Sequence, residues 1–163
     1  MSLTTIISGG QSGVDQGALE AGLSQRMDTG GFCPQNRCDE RGLIPERYAA
    51  RLQPVPRGGN LTRTLLNVAL ADATVLFYWR EVHGGTAHTL RACLDYEKPF
   101  LLVDARLADR STAAAAVVEF ILRRSAVILN VAGPRMSDWA DGFSFARDVM
   151  VEAIQRFRGA TGP

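Results

Sequence analysis

The chain has 163 residues, 46% of them hydrophobic, and a formal net charge of +1. That is enough chain for one domain with a full core, and too little charge for a general attraction to nucleic acid or acidic membranes. Three cysteines (Cys33, Cys38, Cys93) without a signal-peptide pattern read as free thiols in a reducing compartment. No apolar run is long enough to cross a bilayer, so a cytoplasmic protein without membrane or nucleic-acid partners is expected.

Apolar runs of strand length alternate with segments of helical period. "TTIIS" (4–8) precedes a helix over about 13–26, and the irregular stretch 28–60 carries short strands near "TGGF" and near Gln53–Val55. "NLTRTLLNVAL" is helical. "ATVLFYW" (73–79) feeds a helix opening at "GGTAHTLRACL", "PFLLVD" (99–104) leads to a helix over 111–124, and "AVILNVAG" (126–133) is a further strand. The last helix places Phe143, Ala146, Val149, Met150, Ala153, Ile154 and Phe157 on one face, and the tail over about 159–163 is expected to fray. Continuous apolar strands joined through helices predict a single α/β domain over 1–163. Its architecture is Rossmann-like and doubly wound, a mostly parallel sheet with helices on both faces.

In such folds ligands bind outside the carboxyl ends of the strands. Four polar, glycine-bearing segments fall there: "GGQSGVD", "GGFCPQNR", "HGGTAHT" and "NVAGPR". In the first, backbone N–H groups from Gly10 to Val14, the Ser12 hydroxyl and the Gln11 amide are candidates to cradle an oxyanion at a helix N-terminus. Gly9 and Gly13 let the chain turn, and Asp15 is either a ligand or acid group or a dipole-matched first-turn acid. In the third segment Gly84 and Gly85 allow close approach, Thr86 caps or binds, and His88 is a candidate hydrogen-bond partner. Cys33 beside Pro34 either faces the crevice or is an inert buried thiol. Arg37, Arg63 and Arg135 are the candidate guanidinium clamps. Cys33 and Cys38 lack a second pair of donors, so no metal site is expected. The glycine spacing matches neither the Walker A pattern nor the dinucleotide fingerprint.

"IISGGQSGVDQGAL", "GGFCPQNR…RGLIPERY", "RTLLNVALADATVLF", "HGGTAHTLRAC", "EKPFLLV" and "ILNVAGPRMSD" together resemble the molybdenum carrier family, circularly permuted relatives of YpsA in the SLOG branch of Rossmann-like proteins. The resemblance covers about residues 5 to 157. It implies binding of molybdenum cofactor or a molybdate-type oxyanion, while SLOG relatives bind nucleotides and some cleave nucleoside monophosphates. It places Gly9, Gly10, Gln11, Ser12, Gly13 and Asp15 in a first anion loop and Gly84, Gly85 and Thr86 in a second. Arg63, Asn67 and Asp72 fall in another family segment, with Asn67 read as bonding a loop. Asn130, Gly133, Pro134 and Arg135 match the "LNVAGPR" signature. Gln35-Asn36 and Asp141-Gly142 depart from the family's Lys-Gly and Pro-Gly.

Three functions follow: an oxyanion or molybdenum-cofactor carrier, a nucleotide-binding module, and a nucleotide N-glycosidase. The last would need Asp15 as its catalytic acid, since "GGTAHTLRAC" has no acid before Asp95. The carrier reading leans away from an enzyme. It takes a small anionic ligand, a homo-oligomer (dimer or larger) and a molybdoenzyme or cofactor-insertion protein as receiver.

Overall fold

In the computed structural model, which describes residues 3–162, strands and helices alternate much as the hydrophobic pattern requires. The first half holds β1 (Thr5–Ile7), α1 (Val14–Ser24), β2 (Asp28–Gly30), β3 (Phe32–Cys33), β4 (Cys38–Asp39), β5 (Gly42–Leu43), α2 (Glu46–Ala49) and β6 (Gln53–Pro54). The second holds α3 (Asn60–Leu70), β7 (Ala73–Tyr78), α4 (Gly84–Asp95), β8 (Phe100–Asp104), α5 (Arg110–Arg124), β9 (Ile128–Ala132) and α6 (Gly142–Thr161).

Five strands form the central sheet in the order β2-β1-β9-β7-β8, and every neighbouring pair is parallel. β9 is central: Asn130 stands opposite Ile7 on one side and Thr74 on the other. One face is covered by α1, α5 and α6, whose Ala18, Val117, Phe120, Val149, Met150 and Phe157 pack with Val75, Phe77 and Val131 of the sheet. The opposite face carries α3 and α4, where Val68, Ala92 and Cys93 meet Phe100. Each valine, methionine or phenylalanine among them that leaves water stabilises the fold by about 1.5–3 kcal/mol, and that burial binds helices to both faces. The predicted doubly wound α/β architecture is the one observed.

Local chemistry sets several boundaries. Asp109 caps α5 by accepting the Thr112 N–H at 2.7 Å, and Ser125 ends it with a left-handed φ of 50°. α6 continues to Thr161. The Thr161 hydroxyl donates to Phe157 O at 2.9 Å, and the Gly162 N–H donates to Arg158 O. Pro163 lies outside the described residues.

The irregular stretch folds into a small cap over the N-terminal end of α1. It consists of the β3–β6 pair, the β4–β5 hairpin and α2, packed through Leu19, Cys33, Ile44, Tyr48, Ala49 and Leu52. Because α1 leaves β1 toward one face and α4 leaves β7 toward the other, the carboxyl edge parts between them. That is where a doubly wound sheet opens a crevice.

Candidate functional site

A crevice of about 360 Å³ opens there, walled by the 9–15 loop, one face of α3, the start of α4 and the 130–135 segment. Of the residues singled out in the sequence, Gly9, Gln11, Asp15, Arg63, Gly84, Gly85, Thr86, His88, Gly133 and Arg135 line it. Gly10, Ser12, Gly13, Cys33 and Arg37 do not.

The reasons are steric and hydrogen-bonded. Gly10 turns its outer side to Leu52, and Gly13 (φ 82°) presses on backbone, where an added Cβ would lie 2.6 Å from Pro134 O. Ser12 donates to Glu40 Oε1 at 2.5 Å and accepts the Met136 N–H at 3.1 Å. Cys33 is fully buried in the cap cluster, and burial pushes its thiol pKa up. Arg37 is exposed on the cap and stands outside both the crevice and its neighbouring groove.

The 9–15 loop is not an open cradle. The Gly10 N–H donates to Ser8 Oγ at 3.2 Å, Gln11 N–H to Asp15 Oδ2 at 3.3 Å, and Val14 N–H to Pro134 O at 3.2 Å. The anion in that seat is the protein's own Asp15. Its Oδ2 also accepts from Arg63 Nη1 at 3.0 Å, with only 5% of the Asp15 side chain and 12% of the Arg63 side chain exposed. Arg63 can lie this close because Gly9 lacks a side chain: a Cβ there would sit 1.4 Å from Nη1. Burial pushes the Asp15 carboxyl above its ordinary range, against the opposing pull of Arg63 and the backbone donors.

The start of α4 differs. Among the described residues no side chain caps it, and the first N–H returned to the chain is that of Ala87, which donates to His83 O at 3.2 Å. The N–H groups of Gly84, Gly85 and Thr86 precede that bond at the crevice wall, and nothing lies within 4 Å of where a Cβ at Gly84 or Gly85 would stand. Thr89 donates to Gly85 O at 3.1 Å and steadies the turn, while His88 is exposed at the mouth.

Arg135, half-exposed, pairs with Asp138 at 3.2 Å and Glu40 at 3.6 Å. Glu40 in turn accepts from Ser12, from the Ser137 N–H at 3.0 Å and from the Ser137 hydroxyl, clasping the cap to the 134–138 segment. Although burial acts to raise it, these bonds hold the Glu40 carboxyl below its ordinary range. A shallower groove, lined by Pro34, Gln35, Asn36 and Gly58, adjoins the crevice and shares Gln11, Asn60 and Arg135 with it.

Other positions are scaffold. Asn67 lines the crevice, but its amide bridges the cap, accepting the Phe32 N–H at 2.8 Å and donating to Phe32 O at 3.0 Å. Asp72 binds the Val127 and Ile128 N–H groups at the amino end of β9, away from the crevice. Asn60, Thr64, His83 and Asp138 line the crevice without having been singled out. Asn60, Arg63, Thr64 and Asn67 follow helical spacing, a polar face that could have marked them. Glu40 carried no such signal.

This fold has a known counterpart. A family model described as the circularly permutated YpsA SLOG family matches residues 6–154, and the chain belongs to that family. A crystal structure described as "Putative molybdenum carrier protein" from Syntrophus aciditrophicus SB is 31% identical. It covers 94% of this chain and 96% of its own, with a TM-score of 0.90. No curated protein matches the chain. Among the described residues, no helix is long and apolar enough to cross a membrane.

Proposed function

We propose that the chain is a binding and carrier protein for an oxyanion cargo, molybdate or the phosphate end of molybdenum cofactor, taken up in the crevice at the carboxyl edge of the sheet. The observation that carries this reading is the uncapped start of α4, whose N–H groups at Gly84, Gly85 and Thr86 share one cavity with Arg63. Uncommitted backbone donors at a helix N-terminus together with a guanidinium suit a tetrahedral oxyanion. The molybdenum carrier described for the similar structure supports the same cargo. Hydrolysis is less well served, because the buried carboxylate that lines the crevice, Asp15, is held by Arg63 and the Gln11 N–H.

The adjoining groove favours a second, related reading. Its neutral amides at Gln35 and Asn36 give room for a heterocyclic body attached to the anion, as in a nucleotide or a pterin. A homo-oligomer and a receiving molybdoenzyme or insertion protein complete the proposal. The test is native mass spectrometry with elemental analysis on protein from molybdate-supplemented cells. Molybdenum at fixed stoichiometry is expected. Arg63→Ala, which removes a charge-assisted bond of about 1.5–3 kcal/mol, should weaken molybdate binding by roughly 10- to 100-fold. A molybdenum-free protein carrying a nucleotide mass would turn the reading to the nucleotide.

A further inference from the structure

Asp15 and Arg63 face the cargo as a pair, and the pair is unevenly constrained. The Asp15 carbonyl accepts from Ser8 Oγ at 3.1 Å, and its carboxylate accepts from the Gln11 N–H, so both ends of the residue are pinned in the first turn of α1. Arg63 rests over Gly9, with Nη1 on Asp15 and Nε on Asn60 Oδ1 at 3.2 Å. Among the described residues its remaining nitrogen forms no hydrogen bond. An oxyanion reaching Arg63 from the crevice would therefore place a second negative charge beside a carboxylate that has nowhere to move.

The other charged and titratable groups lining the crevice do not relieve this. Arg135, from the segment after β9, is tied to Asp138 and Glu40 and is about half exposed. Asp138, from the same segment, adds negative charge. His83 and His88, from the start of α4, are exposed at the mouth. Like charges brought together in a buried site favour neutralising one of them by a proton.

We propose that the crevice takes up one proton with each oxyanion, and that Asp15 holds it: a solvent acid protonates the carboxylate, leaving Arg63 free to pair with the cargo. This rests on the oxyanion reading above. Burial, which already raises the Asp15 carboxyl, acts in the same direction. Binding then tightens as pH falls and loosens as it rises, so a shift in local pH or a more basic acceptor site would release the cargo.

Calorimetric titration of the full chain with molybdate, in buffers of different ionisation enthalpy near neutral pH, counts the protons. Uptake approaching one per molybdate is expected, with affinity falling toward tenfold per pH unit as pH rises. In Asp15→Asn the uptake should vanish and the affinity become independent of pH. Binding without proton uptake overturns the proton linkage alone. Uptake that persists in Asp15→Asn, or that is abolished by His83→Gln with His88→Gln, overturns the assignment to Asp15. Should Asp15→Asn fail to fold, infrared difference spectra of the wild type decide. A protonated carboxylic acid band should appear on adding molybdate, and its absence overturns the proposal. No binding of molybdate, sulfate or phosphate at any pH would instead remove the oxyanion reading itself.

Discussion

Asp15 illustrates how a loop's backbone donor can be satisfied by the protein's own carboxylate. Its carboxyl is raised by burial, and the sign of the consequence is definite. An acid whose folded pKa lies above its unfolded value adds stability below the unfolded value and loses it as pH rises through the folded one. Asp15→Asn has no proton to lose. Its melting temperature relative to wild type should therefore climb as pH goes from acid to neutral, and calorimetric scans across pH would reveal a flat difference if burial were not dominant. The cysteines sort by the same logic of access. Cys33 and Cys93 are buried and their thiols raised by that burial, whereas Cys38 is half-buried on the hairpin. A thiol reagent should label one site quickly in the native protein, and Cys38→Ser should abolish that fast phase.

At the scale of elements, the cap packs on α1 through its apolar cluster and is tied to α3 by polar bridges. Asn67 of α3 grips both backbone groups of Phe32, and Asn67→Ala leaves that N–H and carbonyl without their partners. Urea unfolding should register a loss of roughly 1–3 kcal/mol, the cost of two part-buried groups left unpaired. These bridges also mark where sequence reading stops. β1, β7, β8, β9 and the long helices were legible because apolar periodicity is local: "ATVLFY" or the face from Ala146 to Phe157 declares itself within a few residues. The crevice was legible in outline, since glycine-bearing segments after β1, β7 and β9 do converge on it. The β4–β5 hairpin was not, because it is held by Gln11 and Gln16 reaching across more than twenty residues to Cys38 O and Asp39. Nor could spacing reveal that Gly9 makes room for Arg63, or that Asp15 folds back on its own loop. The first rests on the Asp15–Arg63 pair, 48 residues apart in sequence, which no local pattern encodes; the second is a four-residue bond that spacing alone does not distinguish from an ordinary first-turn acid.

At the scale of the whole molecule, the two helical layers are unequal. The face of α1, α5 and α6 encloses most of the core, while α3 and α4 on the other face, with the edge strand β8, leave Leu61, Leu70, Leu94 and Leu102 exposed. Together with the unpaired edge of β8, these favour self-association. Light scattering is expected to return at least twice the chain mass, and a strictly monomeric value at high concentration would count against the oligomer. The cavity side of the molecule has a further property. Trp79, directly after β7, is stacked on Trp139 at 6.1 Å and 18°, and Phe145 closes the group from the core side. They are the chain's only tryptophans. Trp79 belongs to the loop that delivers the start of α4, and Trp139 to the segment that carries Arg135. Their indoles are close enough to share excitation, so the tryptophan emission and the indole part of the near-ultraviolet circular dichroism come from one coupled pair joining the two segments that flank the crevice. Any motion that draws those segments apart uncouples the pair, so the molecule's own colour in the ultraviolet becomes a ruler for how far its crevice is open.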